Sequence, residues 1–148
     1  MHHLSRTIYI AIVSLSALSF FVGSTPAADW ASFRGPTGDG VSTATKLPIK
    51  WSVSDNVAWK TPINGQGWSS PVLRNGVLYL TNAVAEDGEA VQTSYQLNTL
   101  ALDAQSGKVL WSVKIFDQPV DSAKIHAKNS HASPTPIVTP THVYVHFG

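Results

Sequence analysis

The sequence predicts an all-β chain assembled from a repeated unit, and three observations carry that expectation. Proline and glycine are spread throughout, and no run after the first residues keeps helical spacing over three turns. Strand-like stretches recur about every ten residues between turn signals. Compared with itself without gaps at an offset of 65, "PVLRNGVLYL" (71–80) falls on "PIVTPTHVYV" (136–145). Both carry Pro, an aliphatic pair, a turn, then aliphatic-Tyr-aliphatic.

The elements follow in order. Residues 57–63 ("VAWKTPI") read as a strand ending in Ile, and 70–73 and 77–83 as two strands joined by the tight turn "RNG" at 74–76. Residues 95–103 alternate into Asp103, and the chain turns over 104–107. Alternation then resumes over 108–116 ("KVLWSVKIF"). Two short strands, 135–138 and 143–147, close the chain. The Trp strand "WKTPI" (59–63) has a counterpart in "WSVKI" (111–115), so the same unit is written twice. The second copy has the longer loop, in "FDQPVDSAKIHAKNSHAS".

A repeat of this length with about four short strands per unit buries its faces only by stacking on neighbours, the sequence signature of a propeller blade. The expected fold is therefore a partial β-propeller. Strands 70–73, 77–83, 95–103 and 108–116 make one complete four-stranded blade, flanked by the outer strand of a preceding blade and the first two strands of a following one.

"ALDAQSGKVLW" (101–111) resembles the A-x-D-x-x-x-G-K-x-x-W tryptophan-docking signature of the pyrroloquinoline-quinone-like (PQQ-like) β-propeller repeat, matching at Ala101, Asp103, Gly107, Lys108 and Trp111. "DWASFRGPTGDGVS" (29–42), "GWSSPV" (67–72) and "IHAKNSHASPTP" (125–136) resemble stretches of exported bacterial members of that family. The resemblance implies a seven- or eight-bladed ring of which this chain is the first part. The motif makes physical sense. Ala101 is small where blades meet, Asp103 can accept turn N–H groups, and Gly107 supplies the positive φ of a tight turn. Trp111 would dock on an adjacent blade, with Trp59 doing the same from the preceding one.

The first 28 residues are expected to be a signal peptide: Arg6, an apolar run over 8–22, then small residues before a cut between Ala28 and Asp29. The run is shorter than the roughly 20 residues a membrane span needs. Residues 29–56 read as an N-terminal strap and 57–148 as the repeats. Removal of Arg6 leaves nine basic and nine acidic side chains. That balance argues against nucleic acid as partner, since phosphate binding calls for a basic excess. With no Cys, disulfides and thiolate chemistry are excluded.

Candidate chemistry is thin. His126 and His131, near Asp117 and Asp121, are the weak candidates for a metal, set against the plainer role of capping strand ends. His142 and His146, four apart, share one strand face. "EDGE" (86–89) reads as an exposed hairpin tip, and Arg34 as part of the strap. No catalytic or cofactor-binding residue emerges. The expected function is that of an exported, periplasmic or extracellular, non-catalytic binding or scaffold module. It would be similar in kind to the scaffold lipoprotein of outer-membrane β-barrel assembly, with an unidentified protein or small ligand as partner. Two alternatives stand: the N-terminal part of a quinoprotein dehydrogenase using PQQ and calcium, and a truncated product without its own function. In isolation such a segment is expected to self-associate.

Overall fold

The computed structural model describes residues 28–45, 47–87, 92–121 and 125–148, and among these it contains six strands and no helix. The strands are β1 (Val72–Arg74), β2 (Val77–Asp87), β3 (Gln92–Asp103), β4 (Val109–Pro119), β5 (Ile137–Val138) and β6 (Val143–Tyr144). β1 to β4 form one antiparallel meander in chain order, and β5 and β6 a separate two-stranded sheet. The signal-peptide reading of residues 1–28 lies outside the described residues, except at Ala28.

The β1–β2 turn follows from its sequence. Asn75 and Gly76 both have positive φ, 49° and 75°, the pair of values that a two-residue hairpin matched to strand twist demands. Register then sets the faces. Tyr79, Ala101 and Trp111 lie in one row across β2, β3 and β4, followed by Thr81, Thr99 and Val113. On this face Ala83 and Leu97 form the core with Ala132, which belongs to the segment leading into β5. Tyr95 and Phe147 pack around them. Strand alternation turns Leu80, Asn82 and Val84 to the opposite face with Asn98 and Leu100. That face is crossed by the chain before β1: Asn82 Nδ2 donates to the Asn64 carbonyl at 2.7 Å.

Three expectations are corrected. Residues 57–63 form no strand; the stretch is extended, but no ladder partner accompanies it among the described residues, and alternation alone cannot supply one. β2 and β3 run past their predicted ends. Glu86, read as a hairpin tip, lies within β2, its carboxylate accepting hydrogen bonds from Ser94 and Gln96 on β3. Gly88 and Glu89 lie outside the described residues. β5 and β6 shrink to two residues each.

β4 is an edge strand carrying six half-exposed apolar side chains: Val109, Leu110, Trp111, Val113, Ile115 and Phe116. Its register slips against β3 between Ala101 and Leu102 and again between Leu97 and Asn98, leaving Leu110 and Ile115 as extra residues. Such bulges twist an edge and discourage pairing with another strand.

Residues 29–31 are tied to both sheets by hydrogen bonds. Trp30 N donates to the Leu73 carbonyl at 2.7 Å and Leu73 N returns a bond to Trp30 O at 2.8 Å. Ala31 O then accepts Val138 N at 2.9 Å, and Asp29 accepts Asn75 N at 2.8 Å. Leu73 and Val138 occupy equivalent positions of the two repeats, so residues 30–31 are threaded between β1 and β5. The repeats also meet directly, where Ser70 N donates to Thr135 Oγ1 at 3.1 Å.

Candidate functional site

The most ordered constellation is the turn between β3 and β4. Asp103 Oδ1 accepts from Ser106 N at 2.7 Å and from Ser106 Oγ at 2.6 Å, and Gly107 N donates to the Asp103 carbonyl at 2.8 Å. Ala101 is fully buried and Lys108 exposed. Gly107 takes φ 71°, and a Cβ there would collide with the Trp59 ring and with Thr61 Oγ1. Trp59 therefore lies against the bare α-carbon. Its Nε1 donates to the Ala104 carbonyl at 3.0 Å, while Thr61 Oγ1 donates to the Gly107 carbonyl at 2.6 Å.

Trp111 is placed differently. It is 38% exposed and its ring meets that of Tyr79 at 6.0 Å between centroids. No turn of the Asp103–Gly107 kind lies against it among the described residues, and Val113 stands where Thr61 stands relative to Trp59. The two indoles differ in environment: one is hydrogen-bonded onto a turn, the other stands at the rim of an open face.

The Asp103 carboxyl is held below the ordinary value of 3.8, first by the Ser106 hydroxyl and then by the Ser106 N–H, both of which bond the ionised form. A carboxyl depressed on folding contributes stability that is fully present above its ordinary value and is lost as pH falls through the folded one. The turn is therefore expected to loosen only below about pH 4. In Ser106→Ala, carboxyl NMR should show Asp103 titrating back toward the ordinary value. An unchanged titration would mean that Ser106 does not hold the carboxylate.

The histidines are dispersed in role. His126 is exposed, and its Nδ1 accepts Lys128 N at 3.1 Å, a local loop cap. His131 is only 5% exposed and its ring meets that of Tyr95 at a tilt of 47°, centroids 4.4 Å apart. Asp117, their sequence neighbour, is paired with Lys114 at 2.8 Å. Among the described residues no three His, Asp or Glu side chains converge on a metal-sized site. His142 Nδ1 bonds Thr141 Oγ1 at 2.8 Å, its ring lies beside that of Tyr144 with centroids 5.8 Å apart, and His142 and His146 are both exposed.

Arg34 borders an open cleft of about 600 Å³ between the strap and the start of β5, with Phe33, Ser133, Thr135 and Ile137 among its walls. Sequence reasoning missed the exchange between Asn82 and Asn64, which joins residues 18 positions apart. A buried polar residue amid an apolar strand, Asn82 in "VLYLTNAVA", was the available signal. A scan against protein-family models finds no match to this chain, and no curated protein matches its sequence significantly.

Proposed function

We propose that this chain is an exported, non-catalytic binding or scaffold module built of PQQ-like propeller repeats. One observation carries the reading: Trp59 rests on the Gly107 turn, so that a tryptophan from before the sheet is locked onto the sheet's outer turn. Trp111 holds the equivalent place one unit later with its ring partly open. A repeat that joins to its neighbour in this way offers the same joint to the next unit. The agreement of Ala101, Asp103, Gly107, Lys108 and Trp111 with the repeat signature supports the propeller identity. The apolar run over 8–22 supports export, with a mature product expected to begin at Asp29.

The test is solution behaviour. The chain is expected to associate in a concentration-dependent way, because the Trp111, Val113 and Phe116 row is half-exposed. Trp111→Lys, which places a charge in the row, is expected to reduce that association in sedimentation velocity runs. A compact monomer indifferent to Trp111→Lys would remove the basis for a face that receives another unit.

A further inference from the structure

Past residues 30–31, which are held between β1 and β5, the chain turns and forms one wall of the open cleft of about 600 Å³; the approach to β5 forms the other. The first wall is stiff. Gly35 N donates to the Ser32 carbonyl at 3.0 Å and Gly40 N to the Arg34 carbonyl at 3.0 Å. The Trp30 ring lies so near the Gly35 α-carbon that a Cβ there would stand 2.7 Å from it. Phe33 and Arg34 thus project from a backbone fastened on both sides. The second wall is pinned as well: Ser133 Oγ donates to the Ser130 carbonyl at 2.9 Å, and Thr135 Oγ1 accepts Ser70 N at 3.1 Å. Two large apolar side chains on these walls are open to solvent, Phe33 at 63% and Ile137 at 54%. The Arg34 guanidinium, also exposed, forms no ion pair among the described residues, and no carboxylate among them lines the cleft.

Small-molecule sites have this size and make-up, apolar walls with a few polar groups that fix orientation. A guanidinium with no carboxylate beside it selects an anion, and it grips a carboxylate through two parallel N–H···O bonds. Exposed Phe33 and Ile137 select an apolar body, whose burial against them removes hydrocarbon surface from water. We propose that this cleft binds a monocarboxylate with an apolar body, its carboxylate on Arg34 and its hydrocarbon part against Phe33 and Ile137. Inorganic anions satisfy only the first requirement and neutral hydrocarbons only the second. Two sources share the chemistry: a free aryl- or alkyl-carboxylic acid, and the C-terminus of a peptide ending in an apolar residue. The cleft lies on the β1 side of the four-stranded sheet, away from the β4 row, since Trp30 bonds Leu73 and Thr135 bonds Ser70. None of Trp59, Gly107 and Trp111 lines it, so the site stands whether or not another unit joins at the Trp111 row.

Ligand-observed saturation-transfer NMR on the full chain tests this with four probes: 3-phenylpropionate, N-acetyl-phenylalaninate, 3-phenylpropionamide and acetate. At concentrations of up to about 10 mM, transfer to at least one of the first two is expected, with the uncharged amide and acetate each about tenfold weaker. A stronger signal for N-acetyl-phenylalaninate assigns a peptide C-terminus, and a stronger one for 3-phenylpropionate assigns a free acid. Arg34→Gln should weaken transfer to the carboxylates about tenfold, and Phe33→Ser about threefold. Lys60→Gln, which removes the same charge from an exposed side chain outside the cleft, should leave transfer unchanged. Each variant is checked for retained circular dichroism. Equal transfer to the amide or to acetate, transfer undiminished in folded Arg34→Gln or Phe33→Ser, an equal loss in Lys60→Gln, or no transfer to either phenyl carboxylate would overturn the proposal.

Discussion

Gly107→Val is expected to destabilise the chain by about 2–5 kcal/mol, combining the cost of a side chain at positive φ with the overpacking of a filled contact. The backbone there sits at φ 71°, and the added Cβ would occupy the space of the Trp59 ring. The indole would have to leave, and its hydrogen bond to the Ala104 carbonyl would go with it. Urea unfolding followed by near-ultraviolet circular dichroism would register both the lower midpoint and the altered tryptophan environment. The cause can be isolated by a double-mutant cycle with Trp59→Ala. Once the ring is absent, valine should cost only its backbone strain and the remaining collision with Thr61 Oγ1, so the two losses should fall short of additivity by more than about 0.5 kcal/mol. Strict additivity would show that the glycine serves the turn alone and not the tryptophan.

Leu97→Ala should cost about 2–5 kcal/mol, the range for emptying a buried leucine site. Leu97 is fully buried in the middle of β3, packed with Ala83 and Ala132 from opposite ends of the described chain's second half. Neither alanine is large enough to move into the vacated space, so the loss should sit toward the upper part of the range. Leu110→Ala is the matched control. It removes the same atoms from a half-exposed bulge position on the edge strand, where about 0.5 kcal/mol is expected. If both substitutions shifted the urea midpoint equally, the core would not be organised around Leu97.

The central sheet was legible because its information is local. "RNG" dictates a hairpin, and "DAQSGK" dictates a turn closed by Asp103, so strand order followed from turn chemistry. Strand length was less legible, since the upper parts of β2 and β3 are held by side chains of polar character. Glu86 and Ser94 read as loop composition until the register places them beside Gln96. Residues 57–63 misled in the opposite sense: they have strand periodicity, but a strand also needs a neighbour, and pairing partners are not written in a single segment. At the candidate site, the roles of Asp103 and Gly107 could be read from residue type. The unequal settings of Trp59 and Trp111 could not, because identical residues at matching places of the sequence repeat differ only in what packs on them. His126 and His131, close in sequence, go to a loop surface and a buried contact with Tyr95 because burial depends on where the loop lands.

The threading of residues 30–31 between β1 and β5 also bears on the order in which the molecule assembles. Trp30 finds its partner at Leu73, but Ala31 must wait for Val138, about a hundred residues later in synthesis. The first of the described segments is thus among the last to be secured, and its contacts are expected to contribute little to the barrier-crossing nucleus while adding to the native state formed after it. A latch closed late is also the first to reopen. The amide protons of Leu73 and Val138, both bonded to this segment, should then exchange with solvent together, through one local opening event, ahead of the amides at the centre of β2 and β3.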